Sequence, residues 1–186
     1  MTGTAAIASA VAADRLRERE LLERLNAELL SSHSATVTLG KWCAARGLSD
    51  PAGVRAEVDP ISAVPTASPE LLARLQVRQE SELRHRRVRL MCGPHVLSEA
   101  TNWYVPARLS PSMNAALAKS NAPFGRLILP LSPIRHNLSV TVVQPDRDEL
   151  AGTVLRHHTL VLDGEGCPLA EVLERYQAVL LTDAGS

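Results

Sequence analysis

Two arginines one residue apart, Arg87 and Arg89, stand in the run His85-Arg86-Arg87-Val88-Arg89-Leu90-Met91-Cys92. If this run is a strand, alternation sends Arg87, Arg89 and Met91 to one face and Val88, Leu90 and Cys92 to the other. Two guanidinium groups on one strand face, with no acid between them, suit a carboxylate or phosphate gripped through paired N–H donors. Solvent exposure, or pairing with Glu99 across a hairpin, is the simpler account of them on the residues alone. Glu99, Glu171 and Glu174 fall on segments that read as strands and could face the arginines across a curved sheet. A carboxylate beside a bound anion and apolar walls can serve as a general acid or base, because burial raises its pKa while arginines lower it. Each of the three can also be an ordinary exposed strand residue.

Other chemistries find less support. His157 and His158 are adjacent and point to opposite faces of a strand, so they cannot chelate one ion together. His85 and His95 could approach across a hairpin, but two ligands without a third do not make a metal site. No metal and no cofactor is expected. There is no GxSxG, GxxxxGKS or GxGxxG, so serine-hydrolase and nucleotide-binding readings have no motif behind them. Cys43, Cys92 and Cys167 are odd in number and widely spaced, which suits a reducing, cytoplasmic compartment and three buried thiols better than a disulfide framework.

The elements that must position these residues follow from hydrophobic spacing. Leu21, Leu22, Leu25 and Leu29 share one face of a helix over about residues 10–30, with charged residues around the rest. That stripe either packs on its own domain or docks a second copy, which leaves a homodimer open. A second short helix begins near Thr38 and stops at Gly47. Pro65 and small residues over 62–68 read as a linker. Strands then run through 85–92 and 96–105, joined at Gly93-Pro94-His95. Ser110-Pro111 offers an N-cap with Pro at N1 for a helix through Leu117, which Pro123-Phe124-Gly125 interrupts. Two more strands fall near 137–143 and 153–162, with a polar loop at 144–152 between them. Asp163-Gly164-Glu165-Gly166 is a turn, and 168–181 fits a helix or a strand on spacing. A returning antiparallel strand is the preferred reading after such a turn.

The chain has 186 residues, 45% hydrophobic, with 20 basic and 20 acidic side chains, enough for one globular domain with a real core. Zero formal net charge and only five aromatic rings argue against nucleic acid as a partner. The apolar stretch Ala5 to Ala13 is too short to span a bilayer, so no membrane association is expected.

Taken in order, several motifs resemble chorismate lyase, which eliminates pyruvate from chorismate to leave 4-hydroxybenzoate. They are Arg87-Val88-Arg89-Leu90-Met91-Cys92-Gly93, the return Leu97-Ser98-Glu99-Ala100 to Val105-Pro106, Ala122-Pro123-Phe124-Gly125-Arg126, and Gly166-Cys167-Pro168 with Glu174. The same order resembles the UTRA effector-binding domains of GntR-type regulators, which share that fold. The resemblance spans about residues 50–181. It implies an α+β fold: an antiparallel sheet of five or six strands with helices packed on one face and the site between them. Residues 1–48 would form a helical N-terminal extension and 49–186 the lyase-like domain.

The resemblance also implies roles. Arg87 would anchor a carboxylate with Arg89 assisting, Phe124 and Gly125 would supply a backbone N–H and an apolar wall, and Glu174 would handle the proton or leaving oxygen. In the effector-domain reading Arg87, Arg89 and Glu99 contact a ligand, and Tyr176 is a further ring near the pocket. The implied partner is a small anionic aromatic or cyclic carboxylate. Thr101-Asn102 stands where the lyase carries Gly-Arg, which removes a cation for a dianionic substrate and implies either a monoanionic ligand or a second cation supplied by Arg89.

Overall fold

The computed structural model describes residues 3–59, 64–143 and 152–182. Six strands form one antiparallel sheet in the order β1-β2-β3-β6-β5-β4. They are β1 (Val54–Val58), β2 (Arg84–Cys92), β3 (His95–Tyr104), β4 (Ile134–Val142), β5 (Thr153–Leu162) and β6 (Pro168–Gln177). The helices are α1 (Gly3–Ser31), α2 (Ala35–Ala45), α3 (Pro69–Arg74), α4 (Pro111–Lys119) and α5 (Phe124–Leu127). No described helix is long and apolar enough to cross a membrane.

Each helix on the main face is there for a reason legible in its residues. On α1, Leu25 and Leu29 are fully buried and Leu21 and Leu22 partly so, against Leu39, Trp42, Leu90, Leu155 and Tyr176. The leucine stripe is therefore turned inward onto its own chain, while Arg19–Glu23 and Arg24–Glu28 pairs run along the exposed side. Ser110 caps α4 by accepting the Met113 N–H at 3.2 Å, with Pro111 at the first helical position. α4 and α5 pack through Leu117, Phe124 and Ile128 on Val88, Ala100, Val161 and Val172.

Several elements differ from the sequence reading. β6 is the strand expected from the turn at 163–166, closed by a 3₁₀ turn at Ala178–Leu181. β1 and α3 were not foreseen. α3 follows the 62–68 segment, of which 60–63 lie outside the described residues, and is capped by the Ser68 hydroxyl. It sits on the opposite face of the sheet, where Leu71 and Leu75 meet Leu83, Trp103, Val105 and Leu160. α2 starts at Ala35, three residues before Thr38. The loop expected at 144–152 falls, up to 151, outside the described residues.

The cysteines need correction. Cys43 of α2 and Cys92 at the end of β2 form a disulfide, with Cα atoms 6.1 Å apart and both residues fully buried. Forty-nine positions separate them, so only the packing of α2 over the hairpin brings them within bridging range. Cys167 is the free thiol. At the hairpin turn Gly93 has φ +54°, and an added Cβ would lie 2.9 Å from the Ser49 Cβ, so both conformation and space demand glycine there.

Candidate functional site

Register pairing sorts the sheet's side chains onto two faces. Val88, Ala100, Glu174 and His157 stand in one row across β2, β3, β6 and β5, and Asn102, Val172 and Thr159 in the next, all facing α1, α2, α4 and α5. Between these rows and the helices lies a cavity of about 40 Å³. Its apolar wall comes from Val88, Leu90, Phe124, Ile128, Val161 and Val172, and its polar groups are Asn102, Arg135 and Glu174 with the Ser34–Thr36 start of α2.

The polar groups are held firmly. Arg135 Nη2 donates to Glu174 Oε2 at 2.5 Å and to Thr159 Oγ1 at 3.3 Å, and Thr159 donates in turn to Asn137 Oδ1 at 3.1 Å. Arg135 and Glu174 are both only 7% exposed. Burial opposes the charge on Arg135, but Glu174 outweighs it and holds the guanidinium above its ordinary range. Arg135 Nε, Asn102 Oδ1, His157 Nδ1 and the Tyr176 hydroxyl are buried here without a hydrogen-bond partner, the last beside the Arg135–Glu174 pair. Such groups are costly unless something meets them.

The start of α2 adds a third polar element. Ser34 donates its hydroxyl to the Gly125 carbonyl at 3.2 Å and does not cap the helix, leaving the first-turn N–H end of α2 uncapped where Ala35 and Thr36 line the cavity. Gly125 allows this close approach, since an added Cβ would lie 3.0 Å from Ser34 Oγ and 3.2 Å from Thr36 Oγ1.

The residues expected from sequence divide between the two faces. Glu174, Phe124 and Gly125 line the cavity. Tyr176 shares their face but is fully buried behind it, with its ring 5.2 Å from that of His157. Burial, helped by Glu174, pushes its hydroxyl well above the ordinary range. Arg87, Arg89 and Glu99 lie on the opposite, open face. The expected alternation holds there, because Val88 and Leu90 are buried under the helices and the arginines are not. Their partners are acids of that face: Arg87 with Asp59 at 3.6 Å, Arg89 with Asp59 at 3.3 Å and Glu57 at 3.7 Å, and Glu99 with Arg175. Arg87, Glu99 and Glu174 all border a cleft of about 690 Å³ on that open side, but the Glu174 carboxylate bonds Arg135, which is the arginine in the inner cavity.

Arg135 and Asn102 escaped the sequence reading. For Arg135 the signal was its alternation with Asn137 on β4, opposite Val161 and Thr159 on β5. Nearby, Arg86 is 5% exposed and donates to the Ala122 and Ser120 carbonyls, tying the α4–α5 connection to the sheet. Among the described residues no group of three or more His, Cys, Asp or Glu could hold a metal ion.

No family model matches the chain. An uncharacterized protein, y4mC of Sinorhizobium fredii, is 32% identical over 179 residues, covering 87% of this chain and 76% of y4mC. The chain belongs to the family of y4mC. Among solved structures, the effector domain of PhnF from Mycobacterium smegmatis superposes with a TM-score of 0.50 at 12% identity, covering 75% of this chain and 89% of that domain. The longer PhnF structure gives a TM-score of 0.51 at 11% identity, covering 71% of this chain, and the match spans 61% of PhnF. A GntR-family regulator from Enterococcus faecalis matches at a TM-score of 0.47 and 12% identity, covering 70% of this chain and 99% of the other. This member of the y4mC family thus has the chorismate lyase-like fold of regulator effector domains, as the motif order implied.

Proposed function

We propose that the chain is a non-catalytic binding module for a small, largely apolar molecule carrying one carboxylate, seated between the sheet and α2 and α5. The observation that carries this reading is the partnerless buried Asn102 Oδ1, set beside Arg135 in an apolar-walled cavity at the uncapped start of α2. The carboxylate would accept from the first-turn N–H groups of α2 and from Arg135, and a ligand hydroxyl or protonated edge would donate to Asn102. No more than one carboxylate is expected, because Glu174 already neutralises Arg135, Asn102 adds no charge, and the N-terminal end of α2 alone supplies positive potential. Glu174 is engaged by the guanidinium on both oxygens, at 2.5 and 3.5 Å, which suits a group that positions Arg135 better than one that moves protons.

The cavity holds about three waters at its present volume of 40 Å³. A ring enters only as the Ser31–Ser34 connection and α5 give way, so binding should tighten the fold measurably. The test is a thermal melt of the protein with 4-hydroxybenzoate or benzoate, followed by incubation with chorismate. The expected result is a ligand-dependent rise in Tm that Asn102→Leu abolishes, with no pyruvate released. Pyruvate formation above background would replace this reading with the lyase activity. The absence of any shift, or a shift unaffected by Asn102→Leu, would remove the cavity as the site.

A further inference from the structure

The cleft of about 690 Å³ on the open side of the sheet has its floor in one register row. Arg87, Thr101, Leu173, His158 and Ser139 stand directly opposite one another on β2, β3, β6, β5 and β4. Neighbouring strands lie about 4.8 Å apart, so the row spans roughly 19 Å. Leu173 sits in its middle, on an interior strand, and is nevertheless 53% exposed between Thr101 and His158. At one end the row is short of partners. Asp59 lies 3.6 Å from the half-exposed Arg87, beyond hydrogen-bond reach, and is shared with Arg89 at 3.3 Å. Across β1, β2, β3 and β6 the paired arginines Arg55, Arg87, Arg89 and Arg175 share three carboxylates, Glu57, Asp59 and Glu99. His85, two residues before Arg87 on the same face, stacks on Trp103. Both of its ring nitrogens are buried without a hydrogen-bond partner among the described residues. Burial, and then the field of Arg87, lower its pKa, so at neutral pH the ring is uncharged and carries one donor and one acceptor. Towards the other end His158 is fixed by Glu171, its Nε2 2.7 Å from Oε1, while Arg74 holds that carboxylate through two bonds of 2.6 and 2.8 Å.

We infer that this cleft, on the face opposite the helices, binds a small hydroxylated monocarboxylate of the size and chemistry of a sugar acid. Its carboxylate lies at Arg87, whose own acid is distant and shared. The C–H face of its ring covers Leu173, which supplies the apolar part of the binding energy. Its hydroxyls meet Thr101, which can both donate and accept, on one side of Leu173 and His158 on the other. A purely apolar acid leaves the Thr101 hydroxyl and the His85 ring unmet, and a neutral sugar leaves Arg87 with its distant Asp59. Only a molecule with both chemistries answers the whole row. None of His85, Arg87, Thr101, His158 or Leu173 lines the inner cavity, so this site stands or falls independently of the one proposed above.

Trp103 and Trp42 are the chain's two tryptophans; Trp103, stacked on His85, reports on this cleft, and Trp42, on the helix side, is the internal control. Nitrogen-labelled protein gives one indole signal for each, assigned with Trp103→Phe. Glucuronate, glucose and acetate are titrated in separate arms at neutral pH, with sodium chloride holding ionic strength constant. The expected result is a saturable shift of the Trp103 signal with glucuronate while Trp42 stays in place, and affinity for glucose and for acetate lower by about tenfold or more. Arg87→Gln and Leu173→Ser, both at exposed positions where folding is not at stake, should each weaken glucuronate binding by about tenfold. Acetate binding as tightly as glucuronate would show that the hydroxyls are not read, and glucose doing so would show that Arg87 takes no part. Either result, full binding in either variant, movement of Trp42 in place of Trp103, or no saturable shift with glucuronate would overturn the site.

Discussion

Arg135 and Glu174 show how much of the inner site's stability rests on one pair. Both are 7% exposed, so each has lost its water and keeps its charge only because the other is there. Glu174→Gln should cost about 3 to 5 kcal/mol, because it strands a buried guanidinium. Arg135→Gln/Glu174→Gln should cost clearly less than the sum of the two single changes, as expected when two groups act through each other. Urea unfolding of the three variants measures this, and additive losses would mean that the pair does not couple. At this scale the sequence was half legible. Strand alternation correctly grouped Arg87 with Arg89 and placed Val88 and Leu90 opposite them. Alternation says which residues share a face; it does not say which face the helices will cover. That was decided by Val88 and Leu90, whose burial drew the helices to their side and left the arginines to Glu57 and Asp59.

α1 is fastened to the sheet by a polar contact inside an apolar interface. His157, 1% exposed on β5, shares a 2.9 Å hydrogen bond between its Nε2 and Asn26 Oδ1 of α1. Burial lowers the His157 pKa and Arg135 lowers it further, while Glu174 pulls the other way. Tyr176 also faces the ring. His85 on β2 is lowered too, by burial and then by Arg87. A histidine whose folded pKa is depressed is neutral in the fold and takes up a proton on unfolding. Its contribution is therefore present above the unfolded value of about 6.5 and is lost as pH falls below it. The melting temperature should drop between pH 7 and pH 5.5, and His157→Gln should flatten that slope while preserving the reach to Asn26. An unchanged slope in both His157→Gln and His85→Gln would assign the acid sensitivity elsewhere. Elements with several turns of pattern or a capping residue, such as α1 and α4, could be read in advance. α3 and β1 could not, since six and five residues are too few for either period to declare itself.

Across the whole molecule, one cross-link joins the first helices to the sheet. The largest apolar cluster takes Leu25, Leu29, Leu39 and Trp42 from α1 and α2 and Leu90, Leu97, Leu155 and Tyr176 from the strands, and the Cys43–Cys92 bridge runs through it. The helices that shape the inner cavity are thus stabilised with the sheet. The bridge closes a loop of 49 positions, for which the chain-entropy estimate of its stabilisation is about 4 kcal/mol. In a domain of this size such a loss lowers Tm by about 10 °C. Cys43→Ala/Cys92→Ala, or reduction of the unaltered protein, should produce that drop while the transition stays single. A single transition follows because the shared cluster leaves neither the helices nor the sheet a complete core of its own. Thiol counting supplies the control, since protein unfolded without reductant should expose one thiol, Cys167, and three after reduction. Three thiols before reduction would show that the bridge is not formed. One thiol with no change in Tm would show that the cluster alone holds α2 in place.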